Sequence, residues 1–156
     1  MPASSHFKEL LRSFNERGVR YLVVGAYAVM KYTEPRYTKD LDVWVEPSTE
    51  NATRVVKALA EFGAPMEGVT EEDFTNQDLV FQIGIAPHRI DVLMGVKGLQ
   101  FSQAWARRFE TEFEDVQMFL VSKQDLLVSK EAAGRPQDLL DLELLRRSDH
   151  PASGND

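Results

Sequence analysis

"RYTKDLDVWV", Arg36–Val45, places Asp40 and Asp42 one residue apart at the mouth of an apolar, β-branched and aromatic run. In an extended strand residues i and i+2 share a face, so both carboxylates project together while Leu41 points the other way. Two such anions repel one another unless a cation or hydrogen-bond donors lie between them, and a hard divalent ion such as Mg²⁺ suits oxygen ligands of this kind. Alone, an Asp-x-Asp is weak evidence, since with 25 acidic residues chance supplies such pairs and a solvated strand start explains them. Two further stretches weigh against that. "RIDVLMGV" sets Asp91 inside a third apolar run, where a carboxylate is disfavoured unless it faces solvent or has a partner. "VRYLVVG" ends a strand-like run at Gly25, directly before "AYAVMKY", so a tight turn would bring backbone N–H donors to a helix start, where phosphate binds well. A phosphate-friendly turn, an Asp-x-Asp strand and a later Asp strand are the parts that two-metal phosphoryl chemistry needs.

The rest of the chain bounds these readings. Its 156 residues, 43% hydrophobic and 28% charged, suffice for one substantial core. A single domain over residues 1–147 is expected, with the polar "SDHPASGND", 148–156, as a disordered tail. No run reaches the roughly 18 apolar residues of a membrane span. The opening "MPASSHFKELL" lacks the basic and apolar regions of a signal peptide, so a cytoplasmic protein with no membrane partner is expected. The absence of cysteine excludes thiolate ligands, disulfides and cysteine nucleophiles, and His6, His88 and His150 are too scattered for a histidine zinc site. Any metal must be held mainly by carboxylates. A net charge of -7 argues against broad binding to a nucleic-acid backbone, though a local basic cleft remains compatible with it.

Periodicity supplies the remaining elements. Phe7, Leu10, Leu11 and Phe14 mark an amphipathic helix capped by Ser5 and stopped by Gly18. Ser48 or Thr49 can cap a helix through Val55, Val56, Leu59 and Phe62, ended by Gly63 and Pro65. "LVFQIGI" and "RIDVLMGV" read as strands joined through "APH", and "ARRFETEFEDVQMFLVS" as a strand pair turning at Glu114 and Asp115. Ser122 and Asp125 resemble a capping box, and Pro136 can open a last helix, "PQDLLDLELLRR". These elements together describe an α/β (α+β) fold: a mixed sheet flanked by helices, with a helical C-terminus.

Gly25-Ala26, Asp40-Leu41-Asp42 and Asp91 together resemble the nucleotidyltransferase superfamily that shares the DNA polymerase β catalytic fold. The stretch "VVGAYAVMKYTEPRYTKDLDVWV" is most similar to the small bacterial branch that includes AbiEii-like nucleotidyltransferases, with Arg36, Thr38 and Asp40 matching its Arg-x-Thr-x-Asp motif. "SKEAAGRPQDLLDLELL" is similar to the branch's C-terminal motif through Lys130, Arg135, Asp138 and Asp141, so the resemblance covers most of residues 19–146. Ala26 departs from the family's second glycine or serine, removing a hydroxyl but keeping the backbone N–H.

The resemblance implies transfer of a nucleoside monophosphate from an NTP to a hydroxyl, with release of pyrophosphate. Asp40, Asp42 and Asp91 would be the catalytic residues and the ligands of two Mg²⁺ ions, with Asp91 also a possible general base. Gly25 and Ala26 would cradle phosphate oxygens, and Arg36 and Lys130 would neutralise the triphosphate. Arg36 and Lys130 could equally be surface residues, Thr38 a local backbone hydrogen-bonder, and Asp138 and Asp141 either anchors for Arg135 or Lys130 or solvated side chains. The acceptor is open: transfer RNA, a protein hydroxyl or a small molecule. A homodimer or a toxin–antitoxin partner could complete the cleft. A contrasting reading is an inactive protein of this fold that binds a partner, using Trp44 or Trp105. A metal-free scaffold would instead hold the three aspartates far apart.

Overall fold

The computed structural model describes residues 3–85 and 87–148. The first helix, α1 (Ala3–Glu16), buries Phe7, Leu10, Leu11 and Phe14, the stripe that its apolar spacing dictates. It begins before Ser5, which lies within the helix rather than at its cap. Strand β1 (Tyr21–Val24) is buried at every position and runs straight into α2 (Gly25–Tyr32). Strand β2 (Asp40–Val45) follows, then α3 (Thr49–Phe62), where Ser48 Oγ accepts the Asn51 N–H and Gly63 closes the end in a left-handed conformation. A 3₁₀ helix, Glu71–Thr75, seats Phe74 in the core.

Strands β3 (Val80–Ile85) and β4 (His88–Leu93) pair antiparallel from Val80 opposite Leu93 to Ile85 opposite His88. A short helix, α4 (Phe101–Ala106), precedes β5 (Phe109–Phe113) and β6 (Val116–Leu120). The strand reading of "ARRFETEF" thus begins too early, because Ala106 closes α4, whose Phe101 packs edge-on against Trp44. The β5–β6 turn sits at Glu114 and Asp115, both with positive φ, as a tight hairpin requires. Helices α5 (Lys123–Ala133) and α6 (Pro136–Arg147) end the described chain. Ser122 caps α5 by accepting the Asp125 N–H, but the Asp125 carboxylate binds Arg107 at 2.9–3.2 Å instead of closing a capping box. Ser148 is held by its hydroxyl on the Tyr32 carbonyl; the rest of the expected tail, 149–156, lies outside the described residues.

The six strands form one mixed sheet in the order β3-β4-β2-β1-β6-β5. β1 is antiparallel to β2 and parallel to β6, and β2 is parallel to β4. Helices flank the sheet: α1 packs on α3, while α2 lies against β1 and β2 and meets α5 and α6. The buried Asn51 locks α3 to the strand ends, accepting the Arg20 N–H at 2.8 Å and donating to the Arg20 and Glu46 carbonyls. Because β2 lies between β1 and β4, residues from three separate parts of the chain meet at one point of the sheet.

Candidate active site

The β2–β4 register sets Asp42 opposite Asp91 and Asp40 opposite Arg89, while the β1–β2 register sets Asp42 opposite Val24. The scaffold with its aspartates far apart is therefore ruled out. Asp91 is 7% exposed, and its Oδ1 is buried without a hydrogen bond. Arg89 Nε stands 3.0 Å from that oxygen as an ion pair, but out of hydrogen-bonding alignment. Asp42 titrates far above the usual carboxylate range, at about 7. Burial is the main cause, followed by the charges of Asp91 and Asp40 and a hydrogen bond to Asp91, with Arg89 only partly offsetting them.

Gly25 has φ +71°, and a Cβ there would fall 2.2 Å from Asp42 Oδ2. Only glycine tolerates both the backbone conformation and the carboxylate pressed against it. No side chain caps the start of α2, so its first N–H groups, Ala26 among them, have no side-chain acceptor. Thr38 binds only backbone, exchanging long hydrogen bonds of 3.3 and 3.4 Å with the Asp40 amide and carbonyl; this pins the strand entry.

The cations settle elsewhere. Arg36 donates to the Asp141 carboxylate at 2.8 and 3.4 Å, away from the strand carboxylates. Lys130 Nζ lies 3.3 Å from Asp138 and 3.1 Å from Asp141, and its side chain is only 12% exposed. Asp138 also takes Arg135 Nε at 2.6 Å. Arg135 in the first place, with Lys130 assisting, holds the Asp138 carboxyl below its ordinary range. For Asp141 burial pushes upward, but the bonds from Arg36 and Lys130 win. Asp138 and Asp141 therefore tie α5, α6 and the Arg36 loop together. Lys130 and Arg135 nevertheless line, with Gly25, Asp42 and Lys97, a cleft of about 230 Å³ between Asp42 and α5–α6 that Asp40 and Asp91 do not line. A larger hollow of about 590 Å³, between Pro35 and Leu144, contains none of the strand carboxylates.

A family model described as a nucleotidyltransferase of unknown function (DUF6036) matches residues 4–146. The chain belongs to that nucleotidyltransferase family. Among solved structures, the lincosamide antibiotic adenylyltransferase LnuA, in a lincomycin-bound crystal structure, is similar at TM-score 0.59 and 14% identity, over 92% of this chain and 96% of that one. That likeness shows a shared fold, the mixed sheet with flanking helices that the sequence predicts. A search of curated proteins by sequence finds no match. No helix of the described residues is long and apolar enough to cross a membrane.

Among the described residues of this nucleotidyltransferase-family chain, no group of three or more His, Asp or Glu side chains is arranged to hold a metal ion as it stands. Asp42 and Asp91 adjoin, whereas Asp40 connects to Asp91 through Arg89, whose Nη2 lies 3.4 Å from Asp40 and 3.2 Å from Asp91. The donor set still suits a hard divalent cation: neighbouring carboxylates and a buried oxygen without a hydrogen bond. Arg89 and Lys97 are missing from the sequence reading. Arg89 was recoverable by the rule that paired Asp40 with Asp42, since it stands two residues before Asp91 on one strand. Lys97 carries no local signal; only the fold brings its loop to the cleft. Trp44 is 1% exposed and belongs to the core, and the Trp105 ring lies under the Arg108 guanidinium, so neither presents the bare surface that a partner-binding reading would use.

Proposed function

We propose that this chain transfers a nucleoside monophosphate from an NTP to the hydroxyl of an acceptor, with release of pyrophosphate, and that it needs Mg²⁺ to do so. The observation that carries the reading is the register match of Asp91 with Asp42, whose carboxylate presses on Gly25 and lines a cleft whose far side carries cations. Asp42, Asp91 and Asp40 would hold the ions. When bound there, Mg²⁺ supplies charge neutralisation of the triphosphate and a lowered pKa for the attacking hydroxyl. The residues do the rest. The Gly25–Ala26 turn would present uncapped N–H groups to phosphate oxygens, and Gly25 lets the Asp42 carboxylate sit directly against that turn. Lys97 and Arg135 face the same cleft and would offset the negative charge of the β- and γ-phosphates. Asp91, buried and with one oxygen lacking a hydrogen bond, would accept the acceptor's proton.

A small hydroxyl-bearing acceptor fits better than RNA. A net charge of -7 opposes a polyanion, and the fold neighbour LnuA carries a small antibiotic in its crystal structure. Isothermal titration with Mg²⁺ and each NTP is the test. One nucleotide should bind in a metal-dependent way, and Asp42→Ala and Asp91→Ala should each weaken it by about 100-fold or more. Nucleotide binding that is absent, or indifferent to metal and to both substitutions, would falsify the reading.

A further inference from the structure

We propose that Arg89 is an internal cation that competes with divalent metal for Asp40 and Asp91 and must leave those oxygens when the ion binds. The inference rests on the phosphoryl-transfer reading of the same carboxylates and adds a residue that controls when they can be loaded.

Strand geometry puts Arg89 there by necessity. In β4, Arg89 and Asp91 share a face, and the parallel pairing with β2 sets Arg89 opposite Asp40. The guanidinium then spans two carboxylates, with Nη2 at 3.4 Å from Asp40 Oδ2 and 3.2 Å from Asp91 Oδ2, and Nε at 3.0 Å from Asp91 Oδ1. Among the described residues its side chain makes no other hydrogen bond or ion pair. Arg89 therefore serves the strand carboxylates alone, unlike Arg36 and Lys130, which are consumed by Asp138 and Asp141 on α6.

The same oxygens cannot serve both cations. Mg²⁺ takes oxygen ligands at about 2.0–2.1 Å in near-octahedral order, which leaves no room for a guanidinium on the same lone pairs. Arg89 also has room to move, since its side chain is 46% exposed. Three carboxylates against one arginine still attract a dication, but metal on Asp40 Oδ2 or on either Asp91 oxygen competes with the Arg89 charge for that oxygen, whereas Asp40 Oδ1 stays open. A metal ion arriving with triphosphate oxygens brings its own extra ligands and overcomes this competition more readily than the bare ion. Arg89 thereby couples metal loading to nucleotide arrival.

The test is titration of the nucleotide-free protein with Mn²⁺, followed by the electron paramagnetic resonance signal of the free ion, for wild type, Arg89→Gln and Arg89→Lys. Arg89→Gln should bind Mn²⁺ roughly tenfold more tightly than wild type, and Arg89→Lys, which keeps the charge, should fall between them. On the wild-type protein, the Arg89 Nε–H resonance should shift and exchange faster with solvent as Mg²⁺ is added, which decides the matter even if a variant fails to fold. Equal or weaker Mn²⁺ binding by Arg89→Gln, or an Arg89 resonance unmoved while metal binds, overturns the role of Arg89 alone. Failure of every protein to bind Mn²⁺, with or without NTP, overturns the metal-dependent reading as well.

Discussion

A single carboxylate, Asp42, is where the chemistry of this site and the stability of the protein oppose each other. Its raised pKa, about 7, means that the folded chain holds a proton which the unfolded chain releases near the ordinary aspartate value. Native protein thus binds more protons than unfolded protein across that window, and stability falls as pH rises through it. Asp42→Asn, which carries no charge, should be more stable than wild type at pH 8 by about 2 kcal/mol, with the difference fading toward pH 4. Urea unfolding across that range measures it, and added Mg²⁺ at pH 8 should narrow the gap. Gly25 belongs to the same scale: it was legible as a turn residue, but its φ of +71° and the 2.2 Å approach to Asp42 Oδ2 give the stronger reason for its presence. The proximity of Asp42 and Asp91 was suggested by strand alternation and family resemblance; their matched register was not, since register is a property of two strands.

At the level of elements, α5 and α6 are joined by charge as much as by apolar contact. Asp141 has a 1% exposed side chain and serves both Lys130 and Arg36, so it holds two helices and the loop before β2 in one arrangement. Removing one partner of such a group leaves the others poorly compensated. Asp141→Asn should cost about 2 kcal/mol at pH 7, less than for a wholly buried pair because Arg36 remains one-third exposed. Its folded pKa is depressed, so the contribution is present above the unfolded aspartate value and disappears as pH falls through the folded one. Wild type and variant should therefore converge in acid, which thermal unfolding between pH 7 and 3 would show. The helices themselves were legible from Ser122 and Pro136, whose capping chemistry is local. The short helix α4 was not: six residues give too little periodicity, and Phe101 is drawn inward by Trp44, a partner far away in sequence.

Across the whole molecule, the far wall of the cleft is built by α5 and the start of α6, through Leu126, Ser129, Lys130, Arg135 and Asp138. A chain ending after Gly134 loses the buried Leu142 and Leu145 together with Asp138 and Asp141. It also exposes Lys130 and Arg36 without their anions. Such a truncation should lose its sharp thermal transition by circular dichroism and bind no nucleotide, because both the core and the far wall of the cleft depend on α6. The sequence by itself determined the strands and the longer helices, the residue types available for phosphoryl chemistry and the pairing of Asp40 with Asp42 on one strand face, since propensity, capping and alternation act within a few residues of chain. The tertiary structure alone decided that Asp42 meets Asp91, that Arg89 stands between Asp40 and Asp91, and that Arg36 and Lys130 are spent on α6 rather than left free. Those outcomes depend on strand order and on which buried charges find each other, and neither is written in the spacing of any one segment.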